Sequence, residues 1–305
     1  MHDHSHHHHH HHDHAPKIDH LNTAFIVGII LNSAFVVVEV IAGLISGSLS
    51  LLTDAGHNLS DVASLALALL AFKMAKIGAT KLYTYGYKRA TILVSFFNAF
   101  ILVATVVVIF YEAVVRFMHP EPISGEAMVW VALIGIAING FTAWLFIKDK
   151  DKDLNIKGAY MHMAVDALVS LGVVISGIII WITGLWWIDS AVSIIIGIII
   201  LRGTWGLFKD SLRLEMDGVP RDIDLEKVKA ELLKNTNIVD VHHMHVWAIS
   251  TTQNALTAHI VVSKDSLNTF DAIKHDLRHK LQHMNISHST FEPEFVDEKC
   301  LQQDC

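Results

Sequence analysis

The chain has 305 residues, of which 52% are hydrophobic and 17% are charged, and its formal net charge is −7 with histidine neutral. Soluble domains carry about 25% charged residues, so this composition indicates a membrane protein. The negative net charge and the lack of basic stretches interleaved with aromatic residues argue against nucleic acid as a partner.

A histidine-rich leader occupies residues 1–20 and begins MHDHSHHHHHHHDH. A purification tag is one interpretation of such a run. The start His-Asp-His-Ser, with no protease site or linker after the run, favours a native arm. A segment of this composition stays disordered and collects metal ions loosely, without a fixed stoichiometry.

Long apolar stretches follow the leader and make up a predicted transmembrane domain over residues 21–208. Each stretch is close to or longer than the roughly 20 residues that cross a bilayer as a helix. We predict six α-helical spans, at about residues 21–45, 50–72, 90–117, 125–147, 158–183 and 187–208.

Lysine and arginine concentrate in the loops around residues 73–89 and 148–157 and directly after the sixth span. The other three loops carry almost none, apart from Arg116. Because cytoplasmic loops are enriched in these residues, we expect a multi-pass protein of the cell (inner) membrane with both termini in the cytoplasm.

The hydropathy falls after the sixth span, and residues 209–295 have the pattern of a small domain. DIDLEKVKAELLKN and TFDAIKHDLRHKLQHM have helical periodicity, whereas IVDVHHMHVWAI, NALTAHIVVS and ISHSTFEPEF are typical of strands. The order α-β-β-α-β predicts a ferredoxin-like α+β domain on the cytoplasmic side. A tail, residues 296–305, follows it.

Ionisable residues stand inside two of the predicted spans. DAGHNLSD contains His57 and Asp61, and YMHMAVDALVSL contains His162 and Asp166. The members of each pair are four residues apart and share one face of a helix, and an ionisable group at mid-span costs about 2.5–3.5 kcal/mol on insertion scales. Brought together, two imidazoles and two carboxylates suit a tetrahedral zinc site. Hydrogen-bonded packing between helices is the alternative.

A metal site inside a membrane serves either catalysis or transport. Catalytic zinc usually keeps one coordination position open for water, whereas four protein ligands would close the shell. The sequence has no His-Glu-x-x-His motif. We therefore expect the protein to be a transporter rather than an enzyme, and a membrane zinc sensor is the alternative. Glu39 in the first span either lines an aqueous opening or pairs with a neighbour.

The sequence resembles the cation diffusion facilitators, six-span zinc-efflux proteins with a cytoplasmic metal-binding domain. The likeness lies in SGSLSLLTDAGHNLSDVASL, YTYGYKRATILVSFFNA and HMAVDALVSLGVVI, and later in VHHMHVWAIS, LTAHIVV and HSTFEPE. It covers about residues 20–295 and implies a homodimer that exports divalent cations, usually in exchange for protons. It also implies that His57, Asp61, His162 and Asp166 form the transport site, in the form typical of the zinc-preferring branch.

The resemblance further implies zinc ligands in the cytoplasmic domain, at His242, His259, His288 and Glu294. His275 on the second helix of that domain is an additional candidate ligand. His243 and His245 alternate with hydrophobic residues and either pack or face solvent. Cys300 and Cys305 resemble metal-binding tail cysteines of some relatives, although their spacing is wider than Cys-x2-Cys, and they are either thiolate ligands or inert. Zinc bound in this domain would regulate transport or have a purely structural role.

A mechanism follows from the acid–base chemistry of the ligands. Histidine must be neutral and aspartate ionised to bind zinc, so protons and metal compete for the same atoms. Histidine, with a pKa near 6.5, changes charge close to physiological pH. We therefore expect alternating access that takes up zinc from the cytoplasm and releases it on the more acidic side, with zinc and protons as the exchanged substrates.

Overall fold

A computed structural model describes residues 18–46, 49–118, 125–185, 187–264 and 269–296. Most of the predicted arm and the tail with Cys300 and Cys305 lie outside these residues. The described part contains six long helices, followed by a domain with two shorter helices and three strands. The long helices are α1 (Ile18–Ser46), α2 (Leu49–Ala75), α3 (Ala90–Met118), α4 (Gly125–Phe146), α5 (Leu154–Thr183) and α6 (Trp187–Glu215).

Four of these helices contain apolar windows long enough by themselves to cross a bilayer, judged over the described residues: Thr23–Ile41, Asn58–Ala75, Ala90–Met118 and Ser190–Glu215. In α4 the apolar run is shorter, Ala132–Phe146. The 30-residue helix α5 carries His162 and Asp166 near its middle. The six long helices coincide with the six predicted spans, and the predicted helical membrane architecture is confirmed.

Large apolar side chains face outward along the long helices. Ile30, Val107, Trp130 and Ile195 are among those exposed over more than half of their surface. In water such a surface would be costly, but hydrocarbon solvates it, and the helical backbone satisfies its own hydrogen bonds there. The outer surface of the bundle is therefore suited to lipid.

Helix α5 lies inside the bundle and packs against α2, α3, α4 and α6. It begins at Asp153, whose extended backbone and side chain form an N-cap that accepts from the backbone N–H groups of Asn155 (2.7 Å) and Ile156 (3.4 Å). It ends at Gly184, whose left-handed φ of 69° suits glycine. Both ends of the helix are thus fixed by local sequence.

Two glycines let α6 approach its neighbours closely. A Cβ atom at Gly172 of α5 would lie 2.2 Å from the side chain of Ile196, and one at Gly197 of α6 would lie 2.9 Å from the ring of Phe110. Small residues of this kind allow close helix contacts in membranes. They explain how α6 packs against both α5 and α3.

The C-terminal domain has the predicted order α-β-β-α-β. Its elements are α7 (Leu225–Leu232), β1 (Ile238–Ser250), β2 (Gln253–Val262), α8 (Phe270–Gln282) and β3 (Ile286–Phe295). The sheet has the strand order β1-β2-β3, with β1 antiparallel and β3 parallel to the central strand β2. The buried residues of both helices and all three strands form one hydrophobic core. The predicted α+β class is confirmed.

The turn between β1 and β2 docks onto the ends of α3 and α5. The Thr251 hydroxyl donates to the carboxyl group of Asp153, and the Thr251 backbone N–H donates to Oγ1 of Thr91 at 3.1 Å. Beside them, Lys88 Nζ donates to Oε1 of Gln253 at 2.7 Å. Asp153 therefore both caps α5 and binds the C-terminal domain through Thr251.

Asp153→Ala should lower the apparent melting temperature of the purified protein, because losing an N-cap costs about 1 kcal/mol and the bond to Thr251 is lost as well. Asp153→Asn should fold normally, since its amide can still cap α5. The measurement is thermal unfolding in detergent, followed by tryptophan fluorescence.

The natural protein and Asp153→Asn together also test how the stability depends on pH. Burial raises the pKa of Asp153 above its usual value of 3.8, against the lowering effect of the hydrogen bond from Thr251. The folded chain thus holds this proton more tightly than the unfolded chain, so the stabilising contribution falls as the pH rises from the unfolded pKa through the folded pKa. Asparagine has no such dependence. The melting temperature of Asp153→Asn relative to the natural protein should rise with pH, and a constant difference would contradict the assignment.

Candidate metal sites in the membrane and in the C-terminal domain

Three of the four predicted transport ligands meet inside the helix bundle. Nε2 of His162 on α5 lies 2.5 Å from Oδ1 of Asp61 on α2 and 3.8 Å from Oδ2 of Asp166, one turn further along α5. Asp61 is fully buried, and His162 and Asp166 are 4% and 7% exposed. One ligand atom from each residue lies within 4.8 Å of the other two.

The fourth predicted ligand, His57, stands in α2 one helical turn before Asp61. Its side chain is outside the described residues, so the four-ligand set stays a prediction. The next residue, Asn58, donates from Nδ2 to Oε2 of the buried Glu39 at 2.8 Å. Of the two predicted roles of Glu39, the structure shows the pairing with a neighbour.

The electrostatics of the buried trio favour a cation. Asp61 bonds to His162 through one oxygen, while its buried Oδ2 has no hydrogen-bond partner among the described residues. No lysine or arginine of the described chain forms an ion pair with Asp61. Burying a carboxylate that is incompletely paired is costly. A divalent cation between the three side chains would compensate this cost.

A second cluster of possible metal ligands lies on the sheet of the C-terminal domain. His242 on β1 stands opposite His259 on β2, and Glu294 lies on β3. Oε1 of Glu294 is 2.6 Å from Nδ1 of His259, and its Oε2 is 3.0 Å from Nε2 of His242. One carboxylate therefore joins two imidazoles from neighbouring strands, and the three ligand atoms lie within 4.8 Å of one another.

His243 also lies beside this cluster, which the alternation of the sequence did not predict. The pairing of β1 with β2 is irregular between His242 and His245, and His243 has a left-handed φ of 48°. A bulge of this kind re-aims a side chain. The ring of His243 consequently lies 5.0 Å from that of His259, centroid to centroid. Glu292 is a further residue at the site, 3.5 Å from Nε2 of His259.

The other predicted ligands do not join either cluster in the described chain. His288 is exposed and packs edge-on against Tyr85, with ring centroids 5.6 Å apart. His275 is exposed on α8. Cys300 and Cys305 are outside the described residues. For these residues the metal-binding role stays a prediction.

The donor sets of both clusters suit zinc. Imidazole nitrogen and carboxylate oxygen are ligands that zinc takes at about 2.0–2.2 Å in tetrahedral sites. The intramembrane trio offers the same two types of ligand as the cluster of the C-terminal domain, and its side chains are buried. Its side chains come from two helices, α2 and α5, so a separation of these helices would open the trio.

Comparison with known proteins agrees with this arrangement. The cation efflux transmembrane domain matches residues 25–214, and the cytoplasmic domain of cation efflux proteins matches residues 220–291. The chain is 36% identical over 272 residues, 88% of this chain and 87% of its relative, to a cadmium, cobalt and zinc/H(+)-K(+) antiporter of Bacillus velezensis. It is 35% identical over 278 residues, 90% and 87% of the two chains, to zinc transporter ZitB of Escherichia coli. It is 38% identical over 235 residues, 77% and 74%, to metal cation efflux system protein CzcD of Cupriavidus metallidurans.

Long helices around a buried trio of possible metal ligands, with a small C-terminal domain after them, together with these matches, define a multi-pass membrane transporter of metal cations. The chain belongs to the cation efflux family, also called the cation diffusion facilitators. The predicted family is thus confirmed, and so is the prediction that the protein is a transporter and not an enzyme.

Glu294→Gln should weaken metal binding by the cluster of the C-terminal domain, because it keeps the shape of the side chain but removes the charge that faces His242 and His259. Equilibrium dialysis of the purified full-length protein should show about one zinc ion fewer per chain, since one zinc takes about four ligands. His245→Gln, which changes an exposed histidine of the same sheet, should bind as much zinc as the natural protein. Equal binding by all three proteins would contradict a site at Glu294.

Proposed function

We propose that this protein exports zinc across the cell (inner) membrane in exchange for protons. It works as a homodimer with both termini in the cytoplasm. Zinc binds to Asp61, His162 and Asp166, with His57 as the fourth ligand, and alternating access exposes this site first to the cytoplasm and then to the opposite side. The histidine arm at residues 2–14, outside the described residues, collects metal ions for the site.

One observation carries this proposal: Asp61 is fully buried between helices with one of its oxygens unpaired in the described chain. Such a group inside a membrane is costly unless it binds something. A purely structural role would be served by an apolar side chain at lower cost. The names of the relatives, among them a zinc transporter and a cation/proton antiporter, support zinc and protons as the exchanged ions.

The exchange follows from competition at the same atoms. Zinc requires neutral imidazole and ionised carboxylates, so each zinc that binds displaces protons and each proton that binds opposes zinc. On the side with higher proton activity, protonation releases the metal. An inward proton gradient can therefore drive zinc outward.

Purified protein in liposomes should take up zinc faster when the lumen is acidic, because luminal protons release zinc from the site. Asp166→Ala should show no uptake above that of protein-free liposomes. Glu112→Ala is the matched control, since it removes an exposed carboxylate of α3 and should transport normally. Zinc uptake that ignores the pH gradient would contradict proton exchange.

A membrane zinc sensor is the alternative function, and the same experiment separates it from transport. A sensor would bind zinc in sealed vesicles without moving it into the lumen. The buried trio would then not need access from both sides.

We propose that the second cluster, formed by His242, His259 and Glu294 in the C-terminal domain, regulates transport. Its ligands lie on β1, β2 and β3, and the turn that joins β1 to β2 contacts Asp153 and Thr91 at the ends of α5 and α3. Because β-strands are stiff, zinc that draws His242, His259 and Glu294 together shifts this turn. Helix α5 carries His162 and Asp166, so the cluster is linked to the transport site through one helix.

Thr251→Val should reduce the regulatory effect of cytoplasmic zinc on the transport rate, because valine keeps the shape of threonine but cannot donate to Asp153. His242→Ala should have the same effect by removing a ligand. Initial uptake rates are measured over a range of zinc concentrations on the cytoplasmic side. Thr257→Val, in the middle of β2, is the control and should behave like the natural protein. If both variants keep the zinc dependence of the natural protein, the cluster has only a structural role.

A further inference from the structure

A small cavity adjoins His162 inside the helix bundle. It is about as large as one water molecule requires. The residues that line it come from α2, α3 and α5: Ser64, Leu65, Asn98, Gly158, Ala159 and His162. Of the ligand trio only His162 lines the cavity, and Asp61 and Asp166 do not, so the cavity is a neighbour of the trio and not its centre.

The cavity lies between the ligand trio and the C-terminal domain. Helices α3 and α5 begin where Thr91 and Asp153 contact the turn at Thr251. At about 1.5 Å per residue, Asn98 lies roughly 10 Å along α3 from Thr91, whereas Asp166 lies roughly 20 Å along α5 from Asp153. A cation that comes from the side of this domain reaches the cavity before it reaches Asp166.

Asn98 is the residue of α3 at this cavity, and it is 4% exposed. Its Nδ2 donates to the backbone oxygen of Ser64 at 3.3 Å. A backbone carbonyl can only accept, so this bond fixes the orientation of the amide. The side-chain oxygen Oδ1 of Asn98 is buried and has no hydrogen-bond partner among the described residues. Buried polar atoms are nearly always bonded to protein or water.

We propose that Asn98 is a positioning residue for cation loading, an inference that rests on the proposed transport function. An incoming divalent cation keeps one water molecule while His162 and Asp61 replace the others. That water occupies the cavity and donates a hydrogen bond to Oδ1 of Asn98. The water leaves toward the C-terminal domain when the last protein ligand binds. Asn98 acts on the metal through this water, as residues behind metal ligands commonly do.

Asn98→Leu should lower kcat/KM for zinc uptake by about 10-fold or more, the size typical of losses behind a metal ligand, while kcat stays within about twofold, because only loading is impaired. Asn98→Ala should lower kcat/KM in the same way but less, since water can fill the enlarged cavity. Asn98→Ser again provides an oxygen that can accept a hydrogen bond from the water, and it should recover most of the natural kcat/KM. Rates are measured with full-length protein in liposomes, with zinc chloride as the probe.

Asn139 provides the matched control. It is 2% exposed on α4, its Oδ1 also has no hydrogen-bond partner in the described chain, and it does not line the cavity. Asn139→Leu and Asn139→Ala should keep kcat/KM within about twofold of the natural value. If the Asn98 variants behave like the Asn139 variants, the inference is overturned. If Asp61→Ala also transports zinc normally, the proposed transport site itself is wrong, which is a different result.

Discussion

The cost of burying Asp61 is the constraint on which this structure depends. Among the described residues Asp61 has no lysine or arginine partner, and it is held by one hydrogen bond to His162 across two helices. That bond ties α2 to α5. The pair is buried among the helices, and burial strengthens the electrostatic interactions of both groups. The proposed cation site is thus formed by the packing of two helices and not by any single helix.

The second constraint is the attachment of the C-terminal domain to α5. Asp153 caps the helix and accepts from Thr251 of the domain, so one buried carboxyl group belongs to both units. A helix is stiff over its length, and a displacement at its first turn reaches His162 about two and a half turns away. A movement of the domain would therefore act on the helix that carries two of the proposed ligands.

Much of this arrangement could be predicted from the sequence. The lengths of the apolar stretches predicted the helices, because a chain that crosses lipid must satisfy its own backbone hydrogen bonds and a helix does so. The four-residue spacing of His162 and Asp166 placed both side chains on one face of their helix. The bulge at His243 could not be predicted, because alternation assumes a regular strand. Asn98 gave no signal, since a lone asparagine in an apolar helix matters only once the neighbouring helices leave a cavity beside it. The docking of Thr251 onto Asp153 joins residues 98 positions apart in the chain, and no local pattern reports such a contact.

In the proposed transport site, the position of Asp61 and His162 on different helices limits how tightly the protein can hold its cargo. A metal bound between α2 and α5 acts as a cross-link, and it stabilises the packed bundle in proportion to its affinity. The helices must separate again to let the metal go, so each gain in affinity slows the release. Fast turnover therefore favours a site of intermediate strength, and a metal that bound much more tightly than zinc would inhibit the protein by locking it shut.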